Sequence, residues 1–322
     1  MVRWLVGRVV SGAVLVVLAS STALVLTRLA PGDVTTQLGP FASRAEIERT
    51  RERFGLDRPV PVEWAVWVSR AVRLDFGTSF LYNRPVSGLL GRAAANTGLL
   101  ATLSLGVATV LGVVLGLLTG SRPRGWLPAL VRAASILLLS LPPLLTSLLL
   151  VFVASRTGWA PPGGMTSVGA ADADWLAWAA DVAWHLPVPA MALALPLAAS
   201  FERLQAQALA DGRDAPFLTA ARARGVGPRV LLLRHAWPVS LRPLCAAYGM
   251  AVGALLSGSF VVEFVTAWPG LGRLMYEALR ARDVYLVAGC AAAGAFFLAL
   301  GTLLGDVLLA AVDPRAREGL DA

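Results

Sequence analysis

An all-α integral membrane protein with six transmembrane helices is the fold class this sequence predicts, and three observations predict it. Of the 322 residues, 57% are hydrophobic and only 15% charged, with a mean hydropathy of +0.67, whereas a soluble domain carries about a quarter charged residues. Six stretches are apolar, almost free of charge and close to the ~20 residues that carry a helix across a bilayer. They lie at 9–27, 97–121, 133–155, 182–201, 243–262 and 284–305. The third observation is the placement of positive charge. Every one of the 28 basic residues is arginine, and short segments on one side hold Arg3 and Arg8, then Arg122, Arg124 and Arg132, then Arg222, Arg224, Arg229 and Arg234, then Arg315 and Arg317. Cationic short loops mark the cytoplasmic face, so both termini are expected inside. The same rule assigns the net charge of +8 to those loops, and no nucleic-acid partner is expected.

Each element follows in order. Arg3 and Arg8 ahead of the first stretch resemble a signal peptide, but its apolar core exceeds the usual length of about 7–15 residues, which predicts an uncleaved first span at 1–27. The segment 28–96 follows outside. Its arginines oppose the orientation count, but they alternate with Glu46, Glu48, Glu52, Asp57, Glu63 and Asp75, and loops beyond about 60 residues escape the rule. Ser43 and Glu46 form a capping box for a helix that Gly55 can close. Pro59 and Pro61 precede a helix with Trp64, Trp67, Val68 and Ala71 on one face. A third amphipathic helix begins near Pro85, with Val86, Leu89, Leu90 and Ala93 at helical spacing. Together these predict a helical cap on the outer membrane surface.

A core of five transmembrane helices then occupies 97–322. Pro142 and Pro143 fall inside the third stretch, Pro187, Pro189 and Pro196 inside the fourth. Each removes a backbone donor and bends its helix, and the freed carbonyls need partners or a wet cavity. Pro142, Pro143 and Pro196 are therefore candidates for a translocation path or gate. Glu263 lies at the outer end of the fifth stretch, as a contact for a substrate ammonium or as a support for the loop that follows. Glu202 and Asp306, at inner ends, are expected to pair with cytoplasmic arginines. Cys245 and Cys290 read as buried small hydrophobes, and His185 and His235 have no cluster around them that suggests a metal.

The loop 202–242 holds a small basic helix. Asp214 is expected to cap it, with Pro216 in its first turn. Phe217, Ala220, Ala221 and Arg224 share one face, Gly225 ends the helix, and Gly227–Pro228 begins another leading to Pro238. Two alanines let another backbone approach closely, and the arginines offer bidentate contacts to carboxylates. Such a helix fits a cleft on a cytoplasmic protein or, equally, a surface of anionic lipid headgroups.

Beside this physical reading, TAARARG (219–225), with His235 ten residues after the glycine and Pro243 eighteen after it, resembles the cytoplasmic loop of ABC-transporter permeases in the oligopeptide, dipeptide and nickel import family. Further segments resemble that family in order along nearly the whole chain: RLAPGD (28–33), FGLDRPVPVEW (54–64), DFGTSF (75–80), RPV (84–86), SLPP (140–143), WPGLGRL (268–274), RDVY (282–285) and VDPRAR (312–317). The large outer segment is similar to that of the first of the two paired permeases. Phe217 stands where the family carries tyrosine, Arg224 where it carries lysine, and HAWPVS (235–240) where it carries HALRNA.

The resemblance implies a type I importer fold in which the helix at 214–225 couples to ATPase subunits through Asp214, Phe217, Thr219, Ala220, Ala221, Arg222, Arg224, Gly225 and His235. It also implies a second homologous permease subunit, two nucleotide-binding ATPase subunits and an extracytoplasmic substrate-binding protein docked near 28–96 and 266–285. The cargo implied is di- or oligopeptides, with nickel chelates or glutathione-like molecules as alternatives. An ATP-independent channel or secondary carrier is the rival from another class. No cofactor is expected in this chain: ATP and Mg belong to the partners, because a Walker A motif needs a lysine and the sequence contains none. No catalytic residue set is present in the sequence, so an enzyme is not expected.

Overall fold

Proline and glycine set where the helices of this chain stop, and close approach of glycines sets how they pack. The computed structural model describes residues 2–32, 43–54, 59–122, 124–170 and 174–312. Asp33, 55–58 with the expected terminator Gly55, Asp172, and Arg315 and Arg317 lie outside the described residues, as does the side chain of Glu46. The helices are α1 (Val2–Leu29), α2 (Arg44–Phe54), α3 (Val60–Ala71), α4 (Val86–Ser121), α5 (Trp126–Ser140), α6 (Pro143–Thr157), α7 (Trp175–His185), α8 (Pro187–Asp211), α9 (Pro216–Ala223), α10 (Pro228–Val230), α11 (Trp237–Ser240), α12 (Arg242–Val265), α13 (Leu271–Ala281) and α14 (Val284–Val312), with a π-helical segment at Leu231–Ala236.

Four helices, α1, α4, α12 and α14, are long and apolar enough to cross a membrane, and the pairs α5–α6 and α7–α8 bring the number to six if each is one broken span. Two expectations change. The amphipathic helix expected at Pro85 is not separate, because no proline interrupts 86–121 and it runs straight into the second span. The 36 residues of α4 reach about 54 Å, against about 30 Å of hydrocarbon, so its first turns project beyond the bilayer core. The third span is not one kinked helix either. Pro142 and Pro143 break it by 111°, since Leu141 before them is pushed into the extended region (φ −92°, ψ 120°) and Pro142 follows at φ −60°, ψ 149°. At Pro187 the preceding Leu186 stays helical (φ −67°, ψ −33°) and the bend is only 45°. Asp174 starts α7 as an N-cap, its carboxylate accepting from the Ala177 N–H at 2.9 Å.

The chain divides into two units. The first comprises 6–98 and 269–299. Its core joins Leu24 of α1, Trp67 of α3 and Ala288 of α14, with Val68 and Ala71 packed alongside. Trp64 lies at the edge, its indole N–H donating to the Ser21 hydroxyl at 2.7 Å, so the expected α3 face is the one that docks. Arg28 Nε stands 2.8 Å from Glu63 Oε2 in the same unit, both side chains largely buried. A second cluster gathers Val86, Leu90 and Ala93 of α4 with Leu271, Leu274 and Ala278 of α13 and Leu286, Val287 and Cys290 of α14. Thr97 seats α13, its hydroxyl accepting from the Leu271 N–H at 2.8 Å.

A polar latch joins distant segments of this unit. Asp283, 1% exposed, accepts from the Ser79 hydroxyl at 2.7 Å, the Leu81 N–H at 3.0 Å and, as the cap of α14, the Leu286 N–H at 3.1 Å. Gly77, at φ +87°, lets the turn lie against the Tyr285 ring. Nearby, the Tyr82 hydroxyl donates to Glu277, and burial together with that carboxylate pushes its pKa up to about 12. Asp283→Ala would leave three donors without their acceptor, two of them buried, the Ser79 hydroxyl and the Leu286 N–H, and a buried donor left unsatisfied costs about 1–3 kcal/mol. The expected result is a thermal midpoint in detergent several degrees lower, with Asp283→Asn intermediate. An unchanged midpoint for the alanine variant would remove the latch from the account of stability.

The second unit comprises 1–5, 99–268 and 300–322, with α8 at its centre, packed on α5, α6 and α12. Gly112, Gly116 and Gly120 put a bare stripe of α4 against α8: a Cβ on Gly112 would lie 2.4 Å from the Phe201 Cβ, and one on Gly116 2.6 Å from the Gln205 Cβ. Small residues four apart are how membrane helices bring backbones together. Gly301 and Gly305 of α14 do the same against α12, at Val252 and Gly249. Phe201 stacks on Tyr248, ring centroids 5.5 Å apart. Cys245 and Cys290 are both buried free thiols.

Candidate coupling site

The loop between α8 and α12 folds on itself. Pro216 is the first residue of α9, and the residue before a proline is pushed out of the helical region, so Ala215 (φ −58°, ψ 137°) takes the cap position with no side-chain cap. The expected capping by Asp214 is therefore corrected: Asp214 lies one residue too early and is exposed. At the other end Gly225 has φ +79°, its N–H bonds the Arg222 carbonyl at 2.9 Å, and the Val226 N–H bonds the Ala221 carbonyl at 3.2 Å. That pair of bonds, with glycine in the left-handed conformation, is a Schellman closure.

The inward face differs from the one expected. Leu218 (3% exposed) and Ala221 (0%) pack with Leu231, helped by Ala215, Val226 and Ala236. Phe217 is 44% exposed, and Thr219, Ala220, Arg222 and Arg224 are exposed as well. Ala221 thus supports the loop from within rather than presenting a surface, because the Schellman turn brings Leu231 back over it. The outward face is Phe217, Ala220 and Arg224, spaced i, i+3, i+7.

Several bonds fasten this helix to the bundle. Arg222 Nη2 donates to the Arg213 carbonyl oxygen at 2.9 Å, and Arg213 Nη2 to the Gly120 carbonyl oxygen of α4 at 3.1 Å. Gln205 Nε2 of α8 donates to the Ser240 hydroxyl at 2.6 Å. Between α10 and α11 the backbone widens into the π-helical segment, where the Trp237 N–H reaches back five residues to the Leu232 carbonyl. Pro238 follows and can donate no bond, so a local widening of the helix suits this place. His235 sits in that segment, Nδ1 at 3.5 Å from the Val230 carbonyl oxygen.

The other named residues lie apart from the loop. Pro143, the first residue of α6, and Leu193 of α8 both approach Gly258 of α12; a Cβ there would stand 3.6 Å and 3.3 Å from them. Pro196 lies inside α8, with the Ser200 hydroxyl donating to its carbonyl oxygen at 3.2 Å. Glu263 of α12 is completely buried, and its carbonyl accepts the Trp268 N–H at 2.9 Å. Contrary to expectation, Glu202 makes no ion pair with an arginine among the described residues: it accepts the Thr119 hydroxyl, because the glycine stripe brings α4 against it. Leu218, Leu231, Thr119 and Gln205 are the residues that sequence reasoning missed. The G-xxx-G-xxx-G spacing at 112–120 was a readable signal for the α4–α8 contact; nothing local singled out Leu231.

Apolar helices broken at proline, with a small basic helix bonded through Arg222 and Arg213 to the end of α4, fit the membrane subunit of a transport system. The chain belongs to the family of binding-protein-dependent transport system inner membrane components, the permeases of ABC importers, which it matches over residues 112–318, with the corresponding N-terminal family region over residues 1–93. It is similar to the oligopeptide transport system permease protein OppB of Mycobacterium tuberculosis, 34% identical over 98% of this chain and 99% of that protein. It is also similar to the oligopeptide transport system permease protein AppB of Bacillus subtilis, 31% identical over 90% and 92%. A putative peptide permease of Brucella suis is 30% identical over 98% and 99%.

Proposed function

We propose that this chain moves peptides inward across the bacterial cytoplasmic membrane, as one of two homologous permease subunits, with both termini in the cytoplasm. Two partner ATPases bind and hydrolyse ATP with Mg, and an extracytoplasmic binding protein delivers the peptide. The observation that carries the reading is the outward face of α9, aromatic, small and basic in turn, on a helix closed at Gly225 and bonded through Arg222 and Arg213 to the end of α4. Displacing such a helix moves α4 and, through α11, α12. ATP-driven closure of the partners then biases the bundle between inward-open and outward-open states. The breaks at Pro142–Pro143 and Pro187 are where the helices bend, and Pro196, which lacks a backbone donor inside α8, is a further point where the path can flex. The relatives named as oligopeptide permeases support peptides as cargo.

The test is reconstitution. The chain with a second permease, two ATPases and the binding protein is expected to hydrolyse ATP in response to loaded binding protein and to concentrate peptide in vesicles. The purified chain alone is expected to hydrolyse none. Peptide transport by the chain alone, without ATP, would overturn the reading in favour of a channel or secondary carrier.

A further inference from the structure

A cavity of about 260 Å³ opens between the ends of α4 and α8 and the flank of α5, lined by Arg132, Arg203, Arg213, Glu202, Thr119 and Gln207 among others. We propose that it binds one phospholipid of the phosphatidylglycerol type, its phosphodiester among the arginines and a glycerol hydroxyl donating to Glu202. Four observations lead there. Arg203 is exposed and makes no ion pair among the described residues. Arg213 spends one N–H on the Gly120 carbonyl, and a guanidinium has others to give.

Glu202 is 1% exposed; one carboxyl oxygen accepts from Thr119, while Oε2 is buried without a hydrogen-bond partner among the described residues. A buried acceptor calls for a donor, which sulfate lacks and which inorganic phosphate supplies only through a P–OH group. The ligand therefore combines an anionic group with a hydrogen-bond donor. The surplus of guanidinium over carboxyl groups favours a net anion, and so a glycerol headgroup over a zwitterionic ethanolamine. The apolar wall favours a lipid over a soluble ester: Ile136, on the cavity, and Leu137 beside it on α5 are 53% and 62% exposed, a surface on which acyl chains can lie. Basic pockets between helices at a membrane interface suit such headgroups. The site rests on membrane residence and not on ATPase coupling, although it shares Arg213 with the contact between α9 and α4.

Native mass spectrometry of the full chain tests the site, after exchange into nanodiscs holding equal amounts of phosphatidylglycerol, phosphatidylethanolamine and phosphatidylcholine. One phosphatidylglycerol per chain is expected to be retained at least about tenfold over the other two, and Arg203→Ala and Arg213→Ala are each expected to weaken retention about fivefold, the worth of one basic side chain near such a surface. Glu202→Gln keeps an oxygen for Thr119 but replaces the free acceptor with a donor. It is expected to bind phosphatidylglycerol no better than phosphatidylmethanol, which has the same charge and no headgroup hydroxyl, whereas the unaltered chain prefers phosphatidylglycerol. Equal retention of phosphatidylethanolamine, retention indifferent to both arginine variants, or displacement by soluble glycerophosphoglycerol would each overturn the proposal.

Discussion

Ala220→Trp is expected to leave the chain in the membrane at its normal level while abolishing peptide uptake, and Ala221→Trp is expected to lower the level itself. The two alanines are adjacent, yet one is exposed and the other buried. Ala221 is completely buried against Leu218 and Leu231, and adding bulk to a packed site costs about 1–3 kcal/mol, sometimes more. Ala220 is exposed, so a tryptophan there disturbs nothing within the chain and blocks only what docks from outside. Arg224→Glu, also on the outward face, should likewise spare membrane level while weakening co-purification of the ATPase. Gly225→Val reports on the closure: no atom lies within 4 Å of its Cβ position, but the φ of +79° costs an L residue about 1–2 kcal/mol and a β-branched one more. Immunoblots of membranes, pull-down of the ATPase and uptake of labelled peptide read the three effects separately. If α9 instead lies on lipid, Ala220→Trp will be neutral or improve membrane contact and only Arg224→Glu will matter; normal uptake in Ala220→Trp would sink the coupling assignment.

Gly116→Leu is expected to remove the folded protein from the membrane. The Cβ alone would stand 2.6 Å from the Gln205 Cβ and 2.8 Å from the Glu202 carbonyl oxygen, so even alanine must push α4 and α8 apart, at about 1–3 kcal/mol. Separation also breaks the Thr119–Glu202 bond and strains the Arg213 contact to Gly120, leaving a buried carboxyl group with no donor. Leucine multiplies the clash along the same stripe. Gly106→Ala, on the same helix with nothing within 4 Å, should be tolerated or slightly stabilising. Thermal unfolding of the detergent-purified chain, compared among Gly116→Ala, Gly106→Ala and the unaltered sequence, checks the order. Equal midpoints for the two alanine variants would mean that α4 and α8 do not approach as closely as described.

Most of the architecture was legible in the residues. Apolar length gave the spans, because a bilayer demands a fixed run of helix whatever surrounds it. Prolines and glycines marked the breaks at Pro142, Pro187, Pro216 and Gly225, because their backbone restrictions are local. The family was readable as well, from short segments kept in order along the chain. Three matters were beyond local reading. The angle at Pro142–Pro143 is 111° and that at Pro187 45°, although both are proline sites, since the conformation of the preceding residue is set by what packs around it. The partner of Glu202 is Thr119 rather than an arginine, because the glycines of α4, which carry no charge signal, draw that helix against α8. The inward face of α9 is Leu218 and Ala221 for a related reason. Eight residues rich in alanine define no single apolar stripe, and the side chain that selects one, Leu231, arrives only when the turn at Gly225 folds the next segment back.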